Sequence, residues 1–264
     1  MKQTYLQNEK NLFVNSFKNI YSRPFAYICI ADAAYWGLFY LILFLFSAAI
    51  TKAGAPLAAL QAFSPGAAND TLRYFLIKAF LVFSLMIILI FLLWSFSRCI
   101  IWCRLLKEKF TFRRGFKFAL FNLIWTIILF APLALSVSSV YQKAKMNVLP
   151  TSAFFIFNYI LLLFMAYLTY IFFFTFIRNK KIFSSFWEGI CAASEKAPKL
   201  MPQYIAMLLV LLAASSALKL FSSAPFIYAA LSFIVMIVSL SWAKMYFSAV
   251  LEDKLAKHKG KHKI

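Results

Sequence analysis

The chain has 264 residues, of which 64% are hydrophobic and only 14% charged, a balance that excludes an ordinary soluble domain. Its net charge of +20 excludes an acidic surface, and in so apolar a chain it points to anionic membrane lipid, with nucleic acid as the secondary reading.

A bilayer core is roughly 30 Å thick, so a crossing helix needs about 20 apolar residues. Six apolar runs meet that need: Phe25–Ile50, Leu72–Phe96, Phe118–Val140, Ser152–Ile177, Met201–Leu218 and Pro225–Ala243. Backbone groups in hydrocarbon must be paired within their own segment, which selects helices for runs of this length. The expected fold is all-α: a polytopic six-helix transmembrane bundle as one domain over 1–250, followed by a basic tail over 251–264. A cleaved leader is not expected, because the first run is too long for a signal core and contains Asp32.

Basic residues occupy alternate gaps. The leading segment has Lys2, Lys10, Lys18 and Arg23, and the second gap has Arg98, Arg104, Lys107, Lys109, Arg113, Arg114 and Lys117. The fourth gap has Arg178, Lys180, Lys181, Lys196 and Lys199; the tail, counted from Lys244, has Lys254, Lys257, Lys259, Lys261 and Lys263 as well. Together these are 22 of the 28 Lys and Arg. Positive residues stay on the cytoplasmic side, so the expected location is the cell (inner) membrane with both termini cytoplasmic.

Taken in chain order, a short amphipathic stretch precedes each odd-numbered run. The first is Phe13-Val14-Asn15-Ser16-Phe17-Lys18, the second Phe112-Arg113-Arg114-Gly115-Phe116-Lys117, the third Ile182-Phe183-Ser184-Ser185-Phe186-Trp187. Each has a large apolar residue, two variable positions, a small residue and Phe. Residues four apart share a helix face, so each stretch can lie at the cytoplasmic interface as an elbow. The pattern suggests three parallel repeats, each an elbow with an outgoing and a returning helix; the alternative is that inner loops of membrane proteins are commonly aromatic and basic. The first outer gap, Thr51–Thr71, is rich in Ala, Pro and Gly and reads as an irregular loop, and its Asn69-Asp70-Thr71 sequon as chance.

At these elbows the chain resembles a broad class of six-helix prokaryotic inner-membrane proteins, including the membrane domain found fused to glycerophosphodiester phosphodiesterases. The resemblance is one of layout, carried by the elbow before the first span, by Phe112–Lys117 and by Ile182–Pro198. It implies no catalytic residues.

Asp32 is the one acid inside an expected span, about 10 Å from Phe25 along the helix. An intramembrane charge costs on the order of 3 kcal/mol and normally faces a partner in the bundle. Arg98, at the cytoplasmic end of the second span, is the nearest partner in depth. The pair reads as a structural clamp, with a transport site as the alternative. Asp32→Asn should fold nearly normally, since the amide preserves shape and some hydrogen bonding without the cost of the charge. Lys78 and Lys219 read as lysines that reach out to the interface.

Cys99 and Cys103, four apart, read as apolar filler together with Cys191, since metal sites show tighter, repeated spacings. His258 and His262 belong to a cationic tail. The chain has 32 phenylalanines, and those of the fourth span, spread over all faces of the helix, read as lipid contact and packing. No nucleophile–base pair, paired carboxylates, HExxH, GxSxG or phosphate loop is present, so neither an enzyme nor a cofactor is expected.

The expected function is that of a non-catalytic membrane-organising or binding protein. It would contact anionic phospholipid through Arg104, Lys107, Lys109, Arg113, Arg114 and Lys117, with any protein partner or self-association left open. A small-molecule permease using Asp32 is the alternative, and a lipid-modifying enzyme comes third.

Overall fold

The structure, a computed structural model, describes residues 12–58, 65–145, 152–219 and 225–256, all helix or short connection with no strand among them. Residues 12–18 are helical and lead through a 3-10 turn, Asn19–Tyr21, into α1, Arg23–Ala58. Ser22 makes the corner. Its backbone is extended and its Oγ accepts the Phe25 N–H at 3.4 Å, one of the orphan donors that a helix N-terminus must satisfy.

The remaining helices are α2 (Pro65–Leu105), α3 (Phe112–Lys145), α4 (Ser152–Asn179), α5 (Ile182–Glu195), α6 (Ala197–Leu218) and α7 (Pro225–Leu251), with a π-turn at Glu252–Ala256. Segments within α1, α2, α4, α6 and α7 are each long and apolar enough to cross a membrane, which makes this a multi-pass membrane protein. Helix α3 has 34 residues.

Several helices outrun the apolar runs that announce them. Thr51–Thr71 is not an irregular loop throughout: α1 continues to Ala58 and α2 begins at Pro65. The alanines favour helix, and proline in the first turn lacks only an N–H that would have no partner there. At its other end α2 continues through Arg98 to Leu105, and α7 continues past Ala243 to Leu251. Lys244 and residue 251 are therefore helix and not tail. The 41 residues of α2 span about 60 Å, twice a hydrocarbon core.

Helix α1 packs on α2 and α7; α7 packs also on α6 and α4, α2 on α3 and α4, and α5 on α4. Buried residues gather toward the basic end of the bundle. Ile28, Cys99, Trp102, Phe118, Phe121, Phe176, Tyr246 and Phe247 are enclosed, whereas Phe44, Phe80, Ile127, Phe157 and Leu212 are exposed. The phenylalanines of α4 divide accordingly: Phe172, Phe173, Phe174 and Phe176 form core, and Phe157 and Phe164 face outward.

The three amphipathic stretches differ in form. Residues 12–18 are set off from α1 by the turn and α5 stands alone, but Phe112–Lys117 is simply the start of α3. They dock alike. The small residue of each, Ser16, Gly115 and Ser185, is buried, and the phenylalanine after it meets an aromatic ring on another helix. Phe116 contacts Phe96 of α2 at 5.2 Å, Phe186 contacts Phe172 of α4 at 5.3 Å, and Phe17 stacks on Trp242 of α7 at 4.9 Å. A small residue lets the short segment approach; a Cβ on Gly115 would stand 2.7 Å from the Phe96 ring, too close for packing without a shift.

Candidate functional site: a buried ion cluster beneath a basic cleft

Asp32 is buried on α1 at 2% exposure, where a lone carboxylate would be costly. It has three partners from two other helices. Arg98 Nη1 of α2 donates to Oδ1 at 2.7 Å, Ser241 Oγ of α7 donates to Oδ2 at 2.9 Å, and Lys244 Nζ of α7 donates to Oδ1 at 2.6 Å. The Arg98 guanidinium also lies over the Tyr35 ring at 5.3 Å. One acid thus binds two cations and ties α1, α2 and α7 at one level.

A neutral counterpart sits nearby. Asn122 Nδ2 of α3 donates to Ser95 Oγ of α2 at 3.0 Å, both fully buried. Ser95 precedes Phe96 and Ser241 precedes Trp242, so each polar contact lies one residue before the ring that receives an amphipathic segment.

A cleft of about 830 Å³ opens one helical turn below the cluster. Tyr27 and Ile28 of α1, Ile100 and Cys103 of α2, and Met245 and Ser248 of α7 make its walls. Its rim is Arg104 at the end of α2 and the connection carrying Lys107, Glu108, Lys109 and Phe110, with Glu252 opposite. Arg104 lies over the Tyr27 ring at 5.4 Å.

That connection is held firmly. Lys107 has φ 55°, a left-handed conformation that favours glycine, and it reverses the chain after α2. Glu108 N–H then donates to the Cys103 carbonyl at 2.8 Å. The Glu108 carboxylate receives Lys180 at 3.2 Å and Arg114 at 3.1 Å, and Arg114 also donates to the Lys109 carbonyl at 2.7 Å. The hydrogen bond from Lys180, joined by that from Arg114, holds Glu108 below the usual carboxylate range.

The structure therefore brings Asp32 and Arg98 into contact and divides the six basic candidates. Arg104, Lys107 and Lys109 line the cleft. Arg114 is engaged inside the turn, while Arg113 and Lys117 are exposed outside the cleft. Lys78 is exposed with its ammonium over the Tyr74 ring at 4.3 Å, and Lys219 is exposed at the end of α6. Cys99 and Cys103 are buried in the core, and no trio of His, Cys, Asp or Glu able to hold a metal occurs among the described residues. His258 and His262 lie outside the described residues.

Lys244 is the residue that sequence reasoning misplaced, by assigning it to the tail. A signal was present: seven largely apolar residues, Met245 to Leu251, follow it, so the lysine interrupts an apolar run and does not end one. Ser241, Ser95 and Asn122 had no such signal, since isolated small polar residues are common in membrane helices.

No protein-family model matches this chain, and neither the curated proteins nor the solved structures contain a significant match.

Proposed function

We propose that this is a non-catalytic protein of the cell membrane that binds anionic phospholipid at its cytoplasmic surface and organises it, or a partner, there. The observation that carries this reading is the cleft: Arg104, Lys107 and Lys109 surround an opening with an apolar wall of Ile100, Leu105 and Met245. Cations above an apolar wall suit a headgroup and the start of its acyl chains. In this reading α3 is the sixth crossing, the basic end is cytoplasmic, and both termini lie on that side.

We read the amphipathic segments as marks of three repeats arranged in a ring. The second docks on the returning helix of the first repeat, the third on that of the second, and the first on that of the third. The matched polar contacts, Asp32 with Ser241 and Asn122 with Ser95, support this order.

Binding is tested with the purified chain in mild detergent, offered neutral or anionic phospholipid at low and high salt. Retention of anionic lipid that weakens in salt is expected, since exposed charge pairs are screened. Equal retention of neutral and anionic lipid would mean that the cations serve topology alone.

The buried Asp32 cluster favours a second reading, a small-molecule permease. Substrate flux into vesicles that requires Asp32 in a variant of normal fold would decide for it; lipid capture without flux decides for the binding protein.

A further inference from the structure

The charge distribution within the cleft narrows the class of lipid. Two carboxylates reach the rim, and each is engaged by cations that lie outside the cleft. Glu108 pairs with Lys180 and Arg114, and Glu252 pairs with Arg178 at 3.6 Å. Among the described residues, none of the three cleft cations forms an ion pair with a carboxylate. The opening thus presents three unneutralised charges, fixed on the end of α2 and on the turn held by Lys107 and Glu108.

A single phosphate diester carries one negative charge and leaves most of that field uncompensated. A headgroup with two phosphates supplies two charges a few bonds apart, matching cations distributed along a rim. Size agrees: pockets of about 300–1,000 Å³ hold drug-sized molecules, and about 830 Å³ leaves room for two linked phosphates with the glycerol between them. The apolar wall argues for a lipid over a soluble diphosphate, because Ile100, Leu105 and Met245 offer phosphate nothing.

We infer that the cleft binds a phospholipid whose headgroup carries two phosphates, with Arg104, Lys107 and Lys109 as its ligands. This rests on the anionic-lipid reading above and adds both the place and the class. Arginine suits a bidentate contact to one phosphate, and the two lysines act as point charges on the other.

The test uses the full chain in nanodiscs of neutral lipid. Diphosphatidylglycerol, phosphatidylglycerol at matched phosphate concentration, and inorganic pyrophosphate are added in turn, and binding is followed by native mass spectrometry. Diphosphatidylglycerol should bind about tenfold more tightly than phosphatidylglycerol, a gap of roughly 1.4 kcal/mol. The Arg104→Gln, Lys107→Gln, Lys109→Gln triple variant should lose that preference. Arg113→Gln with Lys117→Gln, which removes charge outside the cleft, should keep it. All three substituted positions of the triple variant are exposed, so folding is preserved, and elution on gel filtration verifies this.

Equal affinity for the two lipids, still dependent on the three cations, would overturn the two-phosphate class and leave anionic-lipid binding intact. Lipid binding unchanged in the triple variant would overturn the site itself. Displacement of the lipid by pyrophosphate at matched phosphate would make the ligand soluble and would also overturn the inference.

Discussion

Asp32 and Lys244 stand 212 positions apart in the chain and meet inside the bundle, where the ammonium donates to the carboxylate at 2.6 Å. The same carboxylate already receives Arg98 at 2.7 Å. Helix α1 is thereby joined to α7 and to α2 at one point. Loss of the acid from a pair with Arg98 alone would leave one cation unmatched; loss from this cluster leaves two, side by side.

Asp32→Asn should therefore destabilise the bundle, reversing the expectation that the shape and hydrogen bonding of the amide suffice. The amide keeps an acceptor for Ser241 but leaves buried Lys244 and partly buried Arg98 without a matching charge. Removing one member of a buried charge group costs about 3–5 kcal/mol. Adding Lys244→Met should recover part of that loss, because it removes the repulsion between the two cations and leaves Arg98 as the single unmatched charge of the cluster. Thermal unfolding of the two variants, monitored by the fraction eluting as a single species, checks the pair. Recovery absent in the double variant would argue against the cluster.

Gly189 packs against Phe172, and a Cβ there would overlap the ring. The ring cannot move aside easily, being enclosed by Trp125, Phe121 and Phe186. Gly189→Ala should cost about 1–3 kcal/mol by overpacking. Phe172→Leu in the same chain should return part of it. A neutral Gly189→Ala in a thermal melt would contradict the packing of α5 on α4.

Glu108 supplies a pH dependence. Its carboxyl is held below the usual carboxylate range by Lys180 and Arg114, so the native turn binds the proton more weakly than the unfolded chain. The stabilisation is fully present above the unfolded carboxylate value and is lost as pH falls through the lowered native value. Acidification into that range should loosen the connection between α2 and α3, read as increased hydrogen exchange at Lys107–Phe110. Glu108→Gln should show the looser behaviour at neutral pH and little further change in acid.

Topology has its own test. Single cysteines introduced by Ala58→Cys, Gln142→Cys and Lys259→Cys, in a background without the native cysteines, should divide under a membrane-impermeant maleimide. The first two should react in intact cells and the third only after lysis. Labelling of Lys259→Cys in intact cells would reverse the assignment of the basic end.

Each amphipathic segment was visible in the sequence through a small residue followed by Phe, because a docked helix face needs the same residue types wherever it docks. The partners were not visible: nothing in the spacing of Phe17 points to Trp242, more than two hundred residues away. Among the six basic candidates, local charge placed all alike, and only folding separated Arg104, Lys107 and Lys109 in the cleft from Arg114 in the turn.

Composition alone determined that this is a helical membrane protein. Hydrocarbon forces each long apolar run to satisfy its own backbone, and that rule acts on the run without reference to the rest of the chain. The rotation of each helix, the extension of α2 and α7 beyond their apolar runs, and the choice of Lys244 as a second partner for Asp32 were decided by tertiary packing. A buried charge takes whichever opposite charge the assembled helices bring within reach, and that depends on three helices at once.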